Sequence, residues 1–177
     1  MENIIKTPCG MIKGVKIKDG IIAYKGIRYA TANRFEYPIE VTSWDGIYDA
    51  TAFGHAPIQM RTYPQYHQAE SHSEREFLKG VQVSYSEDCL FLNIWTPENA
   101  KDCPVLVVIY GGGNMTGHTD EKPLDGTEFA KRGIIVVTLN YRVNVFGLMA
   151  IPELETSDGK CGNFLYYDQH TAFNFIR

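Results

Sequence analysis

Val105-Leu106-Val107-Val108-Ile109-Tyr110-Gly111-Gly112-Gly113 is an apolar run of six residues that breaks on three glycines. A second apolar run, Ile134-Ile135-Val136-Val137-Thr138-Leu139, lies downstream, and between the two Thr127 to Arg132 reads as a short helix stopped by Gly133. Neither run alternates apolar with polar residues. Such runs are characteristic of strands covered on both faces, so both are expected to be inner strands of a mostly parallel central sheet. Strand, helix and strand in that order make the fold class α/β.

Working toward the N-terminus, Leu90 to Trp95 is a further strand, halted by Thr96-Pro97. Met11 to Lys18 ends in apolar/Lys alternation, and Asp19-Gly20 then separates it from Ile21 to Tyr24. This predicts a β-hairpin, with Gly26 to Ala30 as a third extended piece. Residues 1–30 are thus expected to form a small antiparallel sheet with one solvated face. Residues 31–86 carry Pro38, Pro57 and Pro64 and read mostly as loop, with a short exposed helix over Glu70 to Leu78. Residues 87–177 would hold the first strands and helices of the central layer. From Gly162 the pattern turns helical, with Ala172, Phe173 and Ile176 as an apolar stripe, and the sequence given ends at Arg177 without a helix stop. That ending predicts part of a larger domain.

Composition excludes several classes. A net charge of −4 and the lack of a basic stretch argue against nucleic acid as a partner. The run Val105 to Tyr110 is far too short to cross a bilayer, and Met1 to Lys6 has neither the basic start nor the apolar stretch of a secretory leader. The expectation is a soluble, cytoplasmic protein without membrane partners. Cys9, Cys89, Cys103 and Cys161 are widely spaced, which disfavours zinc and reads as four separate thiols. No cofactor is expected.

The glycine triplet allows more than one reading. It is a tight turn, or a set of backbone amides facing a ligand. A phosphate loop would need Gly-Lys-Ser/Thr, but Asn114-Met115 follows Gly113. A dinucleotide fingerprint would need a long helix, which Thr119 to Pro123 interrupts. His118 could be a base but reads more simply as a loop histidine. His55, His67, His72 and His170 are scattered, and Ser84 and Ser86 precede a strand rather than sitting on a strand-to-helix elbow.

Glu87-Asp88-Cys89-Leu90-Phe91-Leu92-Asn93-Ile94-Trp95-Thr96-Pro97 resembles the second signature of the type-B carboxylesterases, the family that includes the cholinesterases. Other segments follow in order. Tyr24 to Ala30 resembles the GIPYA segment, with Arg28 where Pro is usual, and Arg34-Phe35, Pro38 and Trp44 match the RF…P…W spacing. Asp125-Gly126 with Phe129-Ala130 resembles the DG…FA element. Asn140 to Val143 resembles NYRVG, with Asn144 in place of the last Gly, and Gly162-Asn163 with Asp168-Gln169 resembles the GN…DQ helix start.

The resemblance implies the N-terminal part of an α/β-hydrolase fold and a parent that is a serine carboxylic-ester hydrolase. It assigns oxyanion-hole amides to Gly112 and Gly113, with a third donor following the nucleophile. It places Asn114, Met115 and His118 near the substrate pocket, Asn114 standing where an aromatic is frequent. It pairs Arg34 with Glu87 and Arg142 with Asp168 as structural, buried ion pairs. No Gly-x-Ser-x-Gly elbow occurs in these 177 residues, so the serine, acid and histidine of the triad are expected elsewhere and this chain alone is expected to be inactive. The implied partners are a small-molecule carboxylic ester for the parent enzyme and the remaining C-terminal part of the same fold. Self-association through exposed apolar surface is a further expectation. The alternative is a non-catalytic, cholinesterase-like binding domain or inactive product. Secreted relatives join a cysteine near Gly54–Gln59 to the one matching Cys89. Its lack here agrees with a reducing compartment.

Overall fold

The apolar/Lys alternation near the N-terminus folds as the hairpin it predicts. In the computed structural model, which describes residues 3–60 and 74–177, β2 (Gly10–Lys16) pairs antiparallel with β3 (Ile21–Arg28) through Val15–Ala23 and Lys16–Ile22. Met11 to Lys13 of β2 also pair with two further strands, one on each edge: β1 (Asn3–Thr7), antiparallel, and β4 (Ile47–Asp49), parallel. The sheet does not stop there. β3 pairs antiparallel with β5 (Phe91–Pro97), β5 with β7 (Ile135–Leu139), and β7 runs parallel to β6 (Val105–Val108). One continuous seven-stranded sheet results, mostly antiparallel, so the N-terminal strands and the central layer share a single hydrogen-bonded surface.

Continuity depends on a bulge. The register shifts between Tyr24 and Ile27, which would strand the Gly26 N–H inside the sheet. Asn93 resolves this: its Oδ1 accepts that amide at 2.8 Å while its Nδ2 donates to Thr138 Oγ1 at 3.1 Å. A buried polar side chain in a strand is tolerated because each of its ends has a partner.

Apolar residues collect on both faces. Ile22, Tyr24, Ile27, Leu92, Val137 and Leu139 pack on one side with Leu165 and Ala172 of α3 (Phe164–Ile176), the helix that follows the short α2 (Asn144–Leu148). Ile21, Ala23, Trp95 and Val136 pack with Ala130 on the other. Ala130 belongs to the short helix α1 (Thr127–Ala130), two residues shorter than the predicted span, and Gly133 turns the chain beyond it at φ 81°.

Three expectations need correction. β7 is buried as read, but β6 is the edge of the sheet, and Val105 is 53% exposed. Its apolar run has the composition of an inner strand without a second neighbour among the described residues. The α3 stripe is shifted: Leu165, Asp168 and Ala172 make the buried face, whereas Phe173 is 41% exposed. Of the helix expected over residues 70–78, residues 70–73 lie outside the described residues, as do His67 and His72. The described part, Glu74–Leu78, is a single π-helical turn. The rest of 31–60 and 74–86 is loop apart from β4 and two short pairings, Ala30–Thr31 with Ile39–Glu40 and Ala56–Pro57 with Tyr85–Ser86.

Among the described residues no helix is long and apolar enough to cross a membrane, and no group of three His, Cys, Asp or Glu could hold a metal. All four thiols are free. Cys89 is fully buried, and burial pushes its thiol far above the ordinary cysteine value. Native-state alkylation read by mass spectrometry is therefore expected to modify Cys103 and Cys161 and to spare Cys89 until the protein is unfolded. Reaction of Cys89 at the rate of Cys103 would show that its pocket opens.

Candidate active site

Beyond β6 the chain is anchored by two tyrosines before the glycines begin. The rings of Tyr110 and Tyr141 stack at 4.3 Å, nearly parallel at 9°. Tyr110 Oη donates to the Tyr141 carbonyl at 2.8 Å, and Tyr141 Oη donates to the Tyr110 carbonyl at 2.9 Å. This reciprocal pair fixes the point at which the glycine loop leaves the sheet.

Gly111, Gly112 and Gly113 then lie on the surface. Gly112 has φ 129° and Gly113 φ 61°, both in the region that favours glycine. The Gly112 carbonyl accepts the N–H groups of Met115 and Thr116 at 3.1 and 3.3 Å, closing a turn. A Cβ on Gly112 would sit 2.1 Å from the Thr116 carbonyl oxygen, so no side chain fits there without opening that turn. Neither the Gly112 nor the Gly113 N–H is used by a partner among the described residues. Two adjacent donors are thus left on an exposed stretch of backbone.

Asn114 and Met115 share the loop's outer side. Asn114 (φ 62°) accepts the Asn144 N–H on its carbonyl at 2.7 Å, and Met115 is 51% exposed. His118 does not share that side. It is fully buried, because Gly117 turns the chain inward and Asn140 Oδ1 accepts the Thr119 N–H at 2.9 Å. Its Nδ1 accepts the Asp120 N–H at 3.3 Å, its ring meets Tyr85 edge-on, and its Nε2 has no partner among the described residues. The pocket-rim expectation is thus corrected for His118, whose side chain is shielded from any ligand on the loop surface.

Both expected ion pairs form, in different surroundings. Arg142 and Asp168 are buried and meet through Nε–Oδ2 at 2.9 Å and Nη2–Oδ1 at 2.7 Å. The Arg142 N–H also donates to Oδ2, and its Nη1 donates to the carbonyls of Asn33 and Glu36. Burial pushes the Asp168 carboxyl up, against the pull of Arg142. Arg34 and Glu87 pair bidentately, but the Arg34 side chain is 60% exposed, which corrects the expectation of a second buried pair. Arg34 holds the Glu87 carboxyl below its ordinary value. A third pair, Arg28 with Asp88, was not foreseen. It is bidentate, with the guanidinium 4.5 Å above the Phe91 ring, and the arginine in place of the usual proline was the signal that could have found it.

Sequence reasoning also missed what braces the loop from below. Gln59 Oε1 accepts the Gly117 N–H at 2.7 Å, and its Nε2 donates to the Gly117 carbonyl at 2.9 Å. Asn144 Nδ2 donates to the Ile58 carbonyl at 2.8 Å. Asn144 takes φ 51°, a conformation asparagine tolerates, which is why it can stand where a glycine is usual.

The sequence matches the carboxylesterase family over residues 1–177. The chain belongs to the carboxylesterase family. It is 34% identical to an acetylcholinesterase of Bungarus fasciatus, covering 98% of this chain and 29% of that protein. It is 32% identical to a cholinesterase of Mus musculus with the same coverages, and 34% identical to a bile salt-activated lipase of Rattus norvegicus, 28% of which is covered. Two solved structures resemble it, a PNB esterase with TM-score 0.80 and a thermophilic PNB esterase with TM-score 0.81. Each is 30% identical and aligns with 99% of this chain and 35% of its own. The fold is that of the α/β-hydrolases, and this carboxylesterase chain spans under a third of the length of the curated relatives it matches.

Proposed function

We propose that this chain supplies the oxyanion-stabilising part of a serine carboxylic-ester hydrolase whose substrate is a small-molecule carboxylic ester. The observation that carries the reading is the pair of unclaimed amides at Gly112 and Gly113, held at the end of a sheet strand. When an alkoxide attacks an ester carbonyl, the oxygen acquires a full negative charge. Two N–H groups already aimed at that position need no reorganisation as the charge appears, and one such donor is worth about 2.7–4 kcal/mol. The 177 residues contain no nucleophile elbow, so the serine and its base would come from elsewhere in the protein and residues 1–177 alone would not turn over esters.

Self-association, or docking of the rest of the fold, would use the exposed apolar edge at β6. The free thiols support a reducing, cytoplasmic setting.

The test is to incubate the longest natural form of the protein with a p-nitrophenyl ester and, separately, with a fluorophosphonate that labels activated serines. Turnover and stoichiometric labelling are expected, and residues 1–177 alone should show neither. A long form that neither hydrolyses nor labels would overturn the proposal in favour of a non-catalytic binding domain.

A further inference from the structure

We propose that Gln59 is a positioning residue for the glycine loop, holding Gly117 and thereby setting the direction of the Gly112 and Gly113 amides. The inference rests on the oxyanion reading above and adds a residue that touches neither substrate nor nucleophile.

The geometry is specific to a carboxamide. Gly117 is buried and presents both its N–H and its carbonyl to Gln59, at 2.7 and 2.9 Å. A planar group carrying one acceptor and one donor side by side satisfies both, much as a neighbouring strand would. The side chain is itself fixed: Nε2 also donates to the Pro57 carbonyl at 3.0 Å. The backbone that carries it is tied down too, because the Ile58 carbonyl accepts Asn144 Nδ2. The same Asn144 donates its N–H to the Asn114 carbonyl. Segment 57–59 therefore grips the loop at Gly117 directly and at Asn114 through Asn144.

The grip is transmitted because Gly117 packs flush against the start of the loop. A Cβ there would stand 2.6 Å from the Gly111 carbonyl and 2.3 Å from the Tyr110 ring. With so little room, a shift of Gly117 moves Gly111, and with it the turn that Gly112 closes onto Thr116. Without Gln59 a buried N–H and a buried carbonyl lose their partners, and the loop would move to rehydrate them.

The experiment compares Gln59→Met, which keeps the volume but has neither donor nor strong acceptor, with Gln59→Glu, which keeps the acceptor for Gly117 N–H and loses the donor. In the longest natural form, Gln59→Met is expected to lower kcat by about 100-fold, the scale of a small misplacement of catalytic groups. KM should stay within roughly twofold, and a trifluoromethyl ketone, which mimics the tetrahedral state, should lose affinity in step with kcat/KM. Gln59→Glu should fall between Gln59→Met and the native protein. Unchanged kcat in folded Gln59→Met, or a loss confined to KM, would overturn the proposal. Gly112→Val separates the two ideas: if it abolishes turnover while Gln59→Met does not, only the role of Gln59 fails; if it too keeps full turnover, the oxyanion reading fails. A readout independent of catalysis is the amide spectrum of residues 1–177 or the longer form. Gln59→Met should speed hydrogen exchange at Gly117 and shift the Gly112 and Gly113 resonances, and unshifted resonances would overturn the positioning role whatever the activity.

Discussion

Gly112→Val is expected to lower the kcat of the longest natural form by at least about 10²–10³-fold in a protein that still folds. Two effects add. At φ 129° a β-branched side chain is strained, and its Cβ would fall 2.1 Å from the Thr116 carbonyl, so the turn must open. Opening it redirects the Gly112 amide, and losing one oxyanion donor alone costs about 10²–10³ in kcat. The strain should stay local to the loop and leave the core folded, because Gly111 to Gly113 lie on the surface, outside both apolar clusters. Gly113→Ala is the contrast. Nothing lies within 4 Å of a Cβ there, so it bears only the left-handed penalty of about 1–2 kcal/mol. Its turnover should fall far less. Equal losses for the two variants, read as kcat with a p-nitrophenyl ester, would mean that the loop matters only as a flexible connection.

Asp168→Ala should destabilise the protein by about 3–5 kcal/mol, the range for breaking a buried ion pair. The carboxylate accepts three bonds from Arg142, and its removal leaves a guanidinium in a site shut off from water. The two carbonyls that Nη1 reaches, those of Asn33 and Glu36, remain and should hold the loss toward the lower end. Arg34→Ala, which breaks an exposed and solvent-screened pair, should cost far less. Urea unfolding followed by circular dichroism distinguishes them. If Asp168→Ala moves the midpoint no further than Arg34→Ala, the pair contributes no more than a surface bridge does.

That contrast also marks how far the sequence could be read. Both pairs were identifiable from matching motifs, yet nothing in Arg34 or Arg142 distinguishes an exposed guanidinium from a buried one. Burial is set by what packs over it, and Arg142 is covered by residues 33–36 from far upstream. Similarly, β6 and β7 have nearly the same composition, but β7 has a strand on each side and β6 on one. Apolar runs report the tendency to be covered, not the presence of a cover. The glycine loop was legible because only glycine accommodates φ 129° beside a carbonyl oxygen. Gln59 was not. Its function depends on a partner 58 residues away, and a glutamine in a proline-containing loop has no local pattern to announce it. His118 stood next to the glycines in sequence, yet the turn at Gly117 sends it into the interior.

The sheet's arrangement also governs how the molecule can be made. β6 precedes β7 in the chain, but β7 occupies the place between β5 and β6. A growing polypeptide therefore produces Val105–Val108 before anything exists for it to hydrogen-bond to, since its register partners are Ile135 to Thr138. At ribosomal rates of about 5–20 residues per second the run waits roughly a few seconds, apolar and unpaired, for the next strand to emerge. The glycine turn hangs from that waiting segment, so the geometry of the loop cannot be completed until residues well downstream of it have left the ribosome.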